Sequence, residues 1–354
     1  MKIRRTGLSA RARGTALGIT VAGAAAAALA GSALTASASG HQARSHSSGS
    51  EPTFIVGQQD SGIVSLVADS GALKGAPYQV KFDLFPDGPP EIAAAAANKL
   101  DLADLGDVPP ISGASKNLPF KLIAAELPPS YKQVGDYIIV PKGSSITNVS
   151  QLKGKTIAVP YGTSANGYVL DAIEAAGLTP TSGKPNSVTL DNLTPAAAQT
   201  AFQAGDVAAL GLWNPQIAVD LGEGAKVIGY GRPPLDPDVS FYIADTKDLS
   251  NSDPTRKADL INLLERLGAA YQWGDAHPAQ WEAGLEHETG INAATAKIDV
   301  TNGYVEIRYL TPQVVANVQV LANTFYNTKQ ISQKVDVASY VDNVLSKSYD
   351  GQLP

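Results

Sequence analysis

Small polar residues at Gly162-Thr163-Ser164 stand between an apolar segment and an amphipathic one. Residues 156–159 are apolar and followed by a proline, which predicts a short buried strand. Residues 168–176 carry apolar side chains at helical spacing, so a helix is expected after the turn. The N-terminus of such a helix offers backbone N–H groups, hydroxyls and the positive end of a dipole, which together bind small anions. The same residue types make ordinary helix N-caps, and this stretch alone leaves both interpretations open.

A second pattern occurs twice along the chain. Residues 99–106 (KLDLADLG) align with residues 204–211 (AGDVAALG), and a polar loop with a proline follows each copy. The first loop begins with Gly106 and Asp107, and the second contains Trp213 and Asn214. Ligand loops in open parallel sheets gather at the carboxyl ends of strands, so two such units would present these residues to one cleft. Chance similarity between segments built of common residues is the alternative.

Composition excludes several kinds of chemistry. The 354-residue chain has no cysteine, which removes disulfides, Cys-ligated metals and cysteine nucleophiles. No Ser-His-Asp order, H-E-x-x-H or P-loop pattern occurs, and His41 and His46 have no neighbours that would complete a metal shell. The formal net charge of −6 disfavours nucleic acid and anionic membranes. We therefore expect no catalytic residue, no metal and no cofactor.

The N-terminal segment, residues 1–38, has the features of a secretory signal peptide. It contains five basic residues and no acidic one, then an Ala/Gly-rich apolar run, then Ala36-Ser37-Ala38 as a cleavage site. A transmembrane anchor is the alternative, although the run is weakly hydrophobic. Arg4-Arg5 resembles a twin-arginine motif, so the Sec and twin-arginine routes both stay open. Without cysteine there is no lipid anchor of the lipobox kind, and residues 39–52 read as a flexible linker.

The remaining residues predict an α/β fold, because strands alternate with helices up to about residue 245. Some 300 residues suit two lobes better than one small core. Strands are predicted at 53–57, 78–85, 100–105, 122–126, 136–141, 156–159, 207–212, 226–229 and 240–244, and helices at 63–70, 91–99, 168–176, 195–204, 256–272, 278–288, 312–324 and 337–347.

Residues 53–345 resemble the periplasmic substrate-binding proteins of ABC importers, in particular the aliphatic sulfonate, taurine and nitrate group. The stretches that carry the resemblance are FPDGPP at 85–90, LGDVPP at 105–110, LKGKTIAV at 152–159, YGTS at 161–164, FQAGD at 202–206, WNP at 213–215 and NVQVLANTFY at 317–326. The resemblance implies a type II periplasmic-binding-protein fold, an α/β architecture of two lobes with mixed, mostly parallel sheets and a ligand cleft between them. It assigns residues 53–138 and 242–354 to lobe I and residues 139–241 to lobe II, with crossovers near 137–141 and 233–241.

The resemblance also implies the site. It places an anionic head group at Gly162, Thr163 and Ser164, with Gln58 or Gln59 from the first loop and Asp107 beside Gly106 from the third. Trp213 and Asn214 would meet the ligand from lobe II, and Phe85 would wall the organic tail. The group often has an aspartate where this chain has Asn214, and the exchange removes a negative charge from the site.

The function that follows is capture of a small organic anion, a sulfonate or taurine-like compound, by lobe closure in an exported monomer. Its partners would be an ABC permease and its ATPase, with no nucleic acid. Nitrate, bicarbonate and pyrimidine-type heterocycles are alternative ligands on the same fold. A desulfinase-like enzyme is a further alternative, which the absence of cysteine disfavours.

Overall fold

The computed structural model describes residues 51–128, 135–180, 183–231 and 239–346, all within one unit that spans His46–Pro354. The predicted signal peptide and most of the predicted linker lie outside the described residues. The strands are β1 (Thr53–Gln58), β2 (Gln79–Leu84), β3 (Leu102–Gly106), β4 (Phe120–Leu127), β5 (Asp136–Val140), β6 (Thr156–Ala158), β7 (Thr189–Asp191), β8 (Ala209–Trp213), β9 (Lys226–Tyr230), β10 (Ser240–Asp245) and β11 (Glu306–Arg308).

Helices cover both sheets and dominate the C-terminal third of the chain. They are α1 (Gly62–Ser70), α2 (Gly88–Ala96), α3 (Val108–Ala114), α4 (Ser164–Ala175), α5 (Pro195–Ala204), α6 (Ala218–Gly222), α7 (Pro254–Ala276), α8 (Pro278–Thr289), α9 (Ala293–Gly303) and α10 (Pro312–Asn327). None of the helices in the described part of the chain is long and apolar enough to cross a membrane.

The described strands form two mixed sheets. The first sheet has the order β11-β4-β10-β3-β1-β2, and the second has the order β7-β6-β8-β5-β9. In the first, β1 pairs in parallel with β2 and β3, while β10 is antiparallel to both β3 and β4. In the second, β8 is parallel to β6 and antiparallel to β5. The α/β class with two mixed sheets is confirmed.

The two repeated segments occupy equivalent places in the two sheets. The first copy forms β3, which lies between a parallel neighbour, β1, and an antiparallel neighbour, β10. The second copy forms β8, which likewise lies between parallel β6 and antiparallel β5. A loop follows each of the two strands, although β8 continues to Trp213, two residues past Gly211, which aligns with Gly106.

Buried side chains fall into separate clusters on the faces of the sheets. One cluster joins α3, α4 and α10 to facing sides of both sheets, with Phe241, Tyr168 and Phe325 among its large members. A second lies between the first sheet and helices α1, α7, α8 and α9, around Phe54, Tyr242 and Trp281. On the face of the first sheet that packs against these helices, the strands carry apolar residues along most of their length and polar residues at one end.

The first crossover between the sheets is earlier than predicted. Residues 137–141 were expected to connect the lobes, but Asp136 and Tyr137 already pair with β8 and β9 in the second sheet. The chain therefore passes from one sheet to the other between Leu127 and Asp136. The division into two lobes stays a proposal, with this boundary moved toward the N-terminus.

The predicted helix at 337–347 is wrong. Only Val337–Tyr340 turns helically, and the backbone N–H groups of Asp342 and Val344 then donate to carbonyls of β4. The spacing of the apolar residues in this tail is compatible with an extended segment along a sheet as well as with one face of a helix. The tail is extended because it can then donate hydrogen bonds to backbone carbonyls of β4. Conversely, the loop expected after Gly106 is helix α3, because prolines at its first positions need no intrahelical N–H partner.

Candidate ligand-binding site

The N-terminus of α4 is closed by a complete local cap. Thr163 takes extended backbone angles, and its Oγ1 accepts a hydrogen bond from the Asn166 N–H at 3.3 Å. The Thr163 hydroxyl also donates to the Pro160 carbonyl at 2.7 Å. Gly162, at φ +80°, donates its N–H to Asn166 Oδ1 at 3.3 Å. The N-cap interpretation is thus right for Thr163, whose hydroxyl proton is used inside the protein.

Ser164, the first residue of α4, meets both sheets. Its hydroxyl donates to Asp136 Oδ1 at 3.1 Å, at the start of β5. On the other side it lies against the end of β3, where a Cβ on Gly106 would stand 3.0 Å from Ser164 Oγ. Only glycine fits at this contact without a shift. The first N–H groups of a helix have no intrahelical partner, so this end supplies donors between the two sheets.

A cleft of about 160 Å³ lies at this place, between the carboxyl ends of the parallel strands in the two sheets. Residues from β1, β3 and β4 form one wall, residues around α4, β5 and β8 form the other, and helices α7 and α9 contribute further lining residues. The lining residues are Gln58, Gln59, Asp60, Gly88, Asp104, Gly106, Pro109, Glu126, Pro128, Gly135, Asp136, Thr163, Ser164, Trp213, Asn214, Pro215, Val239, Ser240, Tyr271, Asn302, Gly303 and Val305.

Most of the residues predicted from the sequence come together on this lining. They are Gln58, Gln59, Gly106, Thr163, Ser164, Trp213 and Asn214. Whether a ligand touches them stays a prediction.

Phe85, Asp107 and Gly162 are not among the lining residues, which corrects their predicted placement. Phe85 packs against the apolar cluster shared by the two sheets. Asp107 is 1% exposed at the N-cap position of α3, and Gly162 faces Pro89 at the entrance to α2. Residue type alone does not give the direction in which a side chain or backbone group of a loop points.

The two glutamines are held by hydrogen bonds to their own lobe. Gln58 is 1% exposed, and its side-chain amide donates to the Tyr242 hydroxyl at 3.5 Å. The Gln59 amide donates to Glu91 Oε2 at 3.0 Å and to the Asp104 carbonyl at 3.4 Å. Their donors are therefore directed into the first sheet, and a ligand would meet them only after an exchange of partners.

On the opposite wall, Asn214 connects the second sheet to α9. Its Nδ2 donates to the backbone carbonyl and to Oδ1 of Asp299, each at 3.3 Å, while its buried Oδ1 has no partner among the described residues. Asp299 is 7% exposed, and burial together with the charge of Asp60 raises its pKa to about 8. An aspartate at 214 would place two carboxyls in contact, so Asn214 suits this partner. Trp213 lies half-buried beside it on the lining.

Acidic groups that were not predicted from the sequence also line the wall formed by β1, β3 and β4. On one face of the first sheet, Val56 is followed two residues on by Gln58, Leu102 by Asp104 and Ala124 by Glu126. The register supports a common face, because Tyr242 pairs with Asp104 and Ser240 pairs with Glu126 across β10. The sequence feature that could have predicted them is a charged residue at an inward position of an apolar strand, in LADLG at 102–106 and IAAEL at 123–127.

Burial shifts the protonation of these carboxyls. Desolvation raises the pKa of Asp104 to about 7, and it raises the pKa of Glu126 well above the usual range, where the nearby charge of Asp104 raises it further. Burial also raises the pKa of Asp60, although the Gly62 N–H, which donates to its Oδ1 at 2.7 Å, opposes that effect. Of these carboxyls, Asp104 is the one whose raised pKa lies close to neutral pH.

The described lining contains no lysine, arginine or histidine. Among the described residues, no group of His, Cys, Asp and Glu has an arrangement that could hold a metal ion. The cleft can therefore supply helix N–H donors at one end, carboxyl groups at the other and the Trp213 ring at the side. This is the chemistry of binding a small polar molecule.

Comparison with known proteins agrees with this geometry. Residues 74–226 match a family model described as ABC transporter, phosphonate, periplasmic substrate-binding protein. A relative in Escherichia coli (strain K12), named as an aliphatic sulfonates-binding protein, is 28% identical over 291 residues, which cover 80% of this chain and 86% of the relative.

Solved structures show the same architecture. The periplasmic aliphatic sulphonate binding protein from Escherichia coli superposes with a TM-score of 0.72 at 25% identity, over 86% of this chain and 97% of that one. The alkanesulfonate-binding protein from Xanthomonas axonopodis pv. citri, bound to MOPS, gives a TM-score of 0.73 at 23% identity, over 83% of this chain and all of that one. With two mixed sheets, a cleft between them and these relatives, the chain is similar in sequence and architecture to the periplasmic substrate-binding proteins of ABC transporters.

Proposed function

We propose that this protein is an exported solute-binding protein that captures an aliphatic sulfonate and delivers it to an ABC importer. The observation that carries the proposal is the N-terminus of α4, which opens into a cleft between two sheets at Ser164. Helix N-termini favour anions, and relatives across most of the chain are named for sulfonate binding. The role is binding and delivery, without catalysis.

Backbone groups carry most of the anion binding in this proposal. The Thr163 hydroxyl is used by the Pro160 carbonyl, and the Ser164 hydroxyl by Asp136. The sulfonate oxygens are therefore received by the N–H groups of the first turn of α4, and the Ser164 hydroxyl turns from Asp136 to the ligand when the cleft closes. The Trp213 ring covers the carbon chain, since an aromatic face buries apolar surface at low cost in side-chain entropy.

The proposal extends to export and to partners. Residues 1–38 have the composition of a signal peptide, in keeping with the periplasmic location of the family. A loaded, closed monomer would then dock on the membrane-spanning permease, whose ATPase drives release and import. The absence of cysteine supports a binding protein over a desulfinase-like enzyme.

Ligand binding is tested by thermal unfolding and titration calorimetry on the purified mature protein. We expect a sulfonate in a panel of ethanesulfonate, taurine, sulfate, nitrate, bicarbonate and orotate to raise the unfolding temperature, and nitrate, bicarbonate and orotate to leave it unchanged. Ligand at 100 times its Kd stabilises a folded protein by about 2.7 kcal/mol, which is measurable as a shift of several degrees. Stabilisation by nitrate or orotate alone would overturn the sulfonate assignment.

The position of the anion is tested with two variants of Ser164. Ser164→Ala removes the hydroxyl, and Ser164→Pro also removes one N–H while keeping a residue that is favourable at the first helical position. A hydrogen bond to a charged group contributes about 1.5–3 kcal/mol, so each lost donor should weaken sulfonate binding by about tenfold or more. The weakening should therefore be greater for proline than for alanine.

Ala293→Pro is the matched control, because Ala293 is the exposed first residue of α9, outside the cleft lining. It should leave both affinity and unfolding temperature nearly unchanged. Equal affinity in Ser164→Pro and the unmodified protein would place the anion elsewhere in the cleft.

A further inference from the structure

Helix α9 belongs to one wall of the cleft and contacts the other. Its buried residues Ala296 and Val300 are members of the apolar cluster beneath the first sheet. The helix also packs against α6, whose Leu221 belongs with the separate cluster of the second sheet. The two helices approach closely, since a Cβ on Gly222 of α6 would lie 3.4 Å from Thr295 Oγ1. The walls thus meet at α9 without sharing an apolar cluster there.

One polar pair connects the second sheet to this helix. Asn214, which follows β8, donates from Nδ2 to the backbone carbonyl and to Oδ1 of Asp299. Asn214 lies on the cleft lining, whereas Asp299 is buried outside it. Burial and the charge of Asp60 raise the pKa of Asp299 to about 8, so at pH 7 most molecules carry a proton on this carboxyl. The pair therefore joins two largely uncharged groups.

A second contact between the walls lies at α4 and is apolar. A Cβ on Gly167 of α4 would lie 3.1 Å from Val108 of α3 and 3.4 Å from Phe325 of α10. Val108 and Phe325 are buried, and they belong to the apolar cluster that includes residues of both sheets. At this place the two walls share one continuous core.

The two contacts differ in the free energy needed to separate them. Moving α4 away from α3 and α10 would expose apolar surface to water, at a cost that grows with the exposed area. Parting Asn214 from Asp299 exchanges their hydrogen bonds for hydrogen bonds to water, and the net cost of that exchange is small. A solute must enter the cleft between the walls, so the α9 contact is the one expected to break.

We propose that the cleft opens at α9 while the α4 contact persists, and that Asp299 is a positioning residue whose pairing with Asn214 holds the α9 side closed. The inference rests on the proposed function only in requiring that a solute enter the cleft, and it does not depend on which solute that is. It gives a role to Asp299, which the ligand cannot explain because this residue lies outside the lining.

The side that opens is tested with pairs of spin labels. The chain has no cysteine, so introduced cysteines are labelled uniquely. Glu223→Cys with Lys297→Cys spans the α6–α9 contact, and Glu174→Cys with Val320→Cys spans α4 and α10; all four positions are exposed. In the ligand-free protein at pH 7, we expect Asp299→Ala to lengthen the α6–α9 distance and to leave the α4–α10 distance unchanged.

Three further variants separate the pair from general stability. Asp299→Asn keeps an oxygen that accepts from Asn214 Nδ2, so it should keep the short α6–α9 distance. Adding Asn214→Ala to Asp299→Ala should open the cleft no further, because both changes remove the same contact. Asn292→Ala is the matched control: Asn292 Oδ1 caps α9 by accepting from the Thr295 N–H at 3.0 Å. Its loss should lower the unfolding temperature and leave both distances unchanged.

The release of ethanesulfonate gives a second readout. Loss of the hydrogen bonds that hold the α9 side closed should speed dissociation by about tenfold in Asp299→Ala, measured by stopped-flow tryptophan fluorescence. Asp299→Asn and Asn292→Ala should release ethanesulfonate at the unmodified rate.

An unchanged α6–α9 distance in Asp299→Ala would overturn the role of Asp299. A lengthened α4–α10 distance would overturn the persistence of the α4 contact. If ethanesulfonate does not bind, the sulfonate assignment fails, while the distances in the ligand-free protein still decide where the cleft opens.

Discussion

The two ends of the cleft are built in different ways. The α4 end comes from one contiguous stretch, in which Thr163 and Asn166 satisfy each other and the adjoining backbone. The acidic end is assembled from separate strands of the first sheet, where Glu126 keeps a buried oxygen without a partner among the described residues. At the first end the side chains of the cap are paired before a ligand arrives, whereas at the second end Glu126 Oε1 is not.

Because of this difference, we expect the α4 end to position the ligand and the acidic end to determine which ligand is preferred. A capped helix presents its N–H groups in a fixed direction at little cost, because its other polar groups are already satisfied. Buried carboxyls store an unfavourable desolvation that a matching cation relieves and that a neutral or negative group does not. We therefore expect changes at the α4 end to lower affinity for every sulfonate, and changes at the acidic end to change which sulfonate is preferred.

The largest effect is expected where the two ends touch. In Gly106→Val, the new Cβ would lie 3.0 Å from Ser164 Oγ and 3.1 Å from Ser164 Cβ, distances that real Cβ atoms seldom have, and two further methyl groups would enter the cleft. The walls must then stand apart, so we expect at least a 100-fold loss of affinity for taurine and ethanesulfonate alike, measured by calorimetry.

Gly106→Ala gives a graded comparison, because its methyl group demands a shift of only a few tenths of an ångström. Its loss of affinity should be smaller, and the unfolding temperature of both ligand-free variants should change little, since walls that separate relieve the contact. Tight binding by Gly106→Val would mean that the two ends do not approach each other around the ligand.

The two ends of the cleft also differ in how far they could be predicted from the sequence. The strand, the turn and the capped helix of the α4 end were predicted from residues 156–176 alone, because these elements follow one another and their chemistry is local, whereas the anion-binding role of this end stays a prediction. The acidic end needed the register that sets Asp104 and Glu126 on either side of β10. No local pattern contains that register, because β10 follows both residues in the chain by more than 100 positions.

For the fold as well, local features could be predicted from the sequence and long-range contacts could not. Alternating strands and helices predicted the class and most elements, since periodicity is a local property. The tail at 337–347 was predicted as a helix because its apolar spacing allows one, and hydrogen bonds to Leu122 and Ile123 decide otherwise. Asn214 was expected to meet the ligand, and its contact with Asp299 depends on a helix, α9, that was not predicted.

A second prediction uses pH to separate the two ends. Taurine binding requires ionised carboxyls, and the pKa of Asp104 in the folded protein is about 7, so a proton must leave as the ammonium enters. Affinity for taurine should then rise as the pH rises from 5.5 through the pKa of Asp104, by up to about tenfold per pH unit, as expected when one proton is released.

Ethanesulfonate should show the opposite slope, because ionisation of Asp104 adds negative charge to the cleft that receives it. Asp60 and Asp299 face the same region and contribute in their own ranges, so Asp104→Asn is the control. It should flatten both profiles near pH 7. If the affinities for taurine and ethanesulfonate changed with pH in the same direction in the unmodified protein, the two ends would not have the separate roles proposed for them.

The smallest effect is expected on stability without ligand. The raised pKa values of Asp104 and Glu126 mean that the folded state binds protons more tightly than the unfolded chain. Their stabilising contribution is therefore complete below about pH 4 and is lost as pH rises toward 7 and above. Glu126→Gln removes one such group, and its amide can donate to Asp104. We expect the ligand-free variant to unfold about 2–4 °C higher than the unmodified protein at pH 8, with the difference vanishing near pH 4 in scanning calorimetry. A lower unfolding temperature at pH 8 would show that Glu126 stabilises the empty cleft, and the acidic end would then be as self-sufficient as the α4 end.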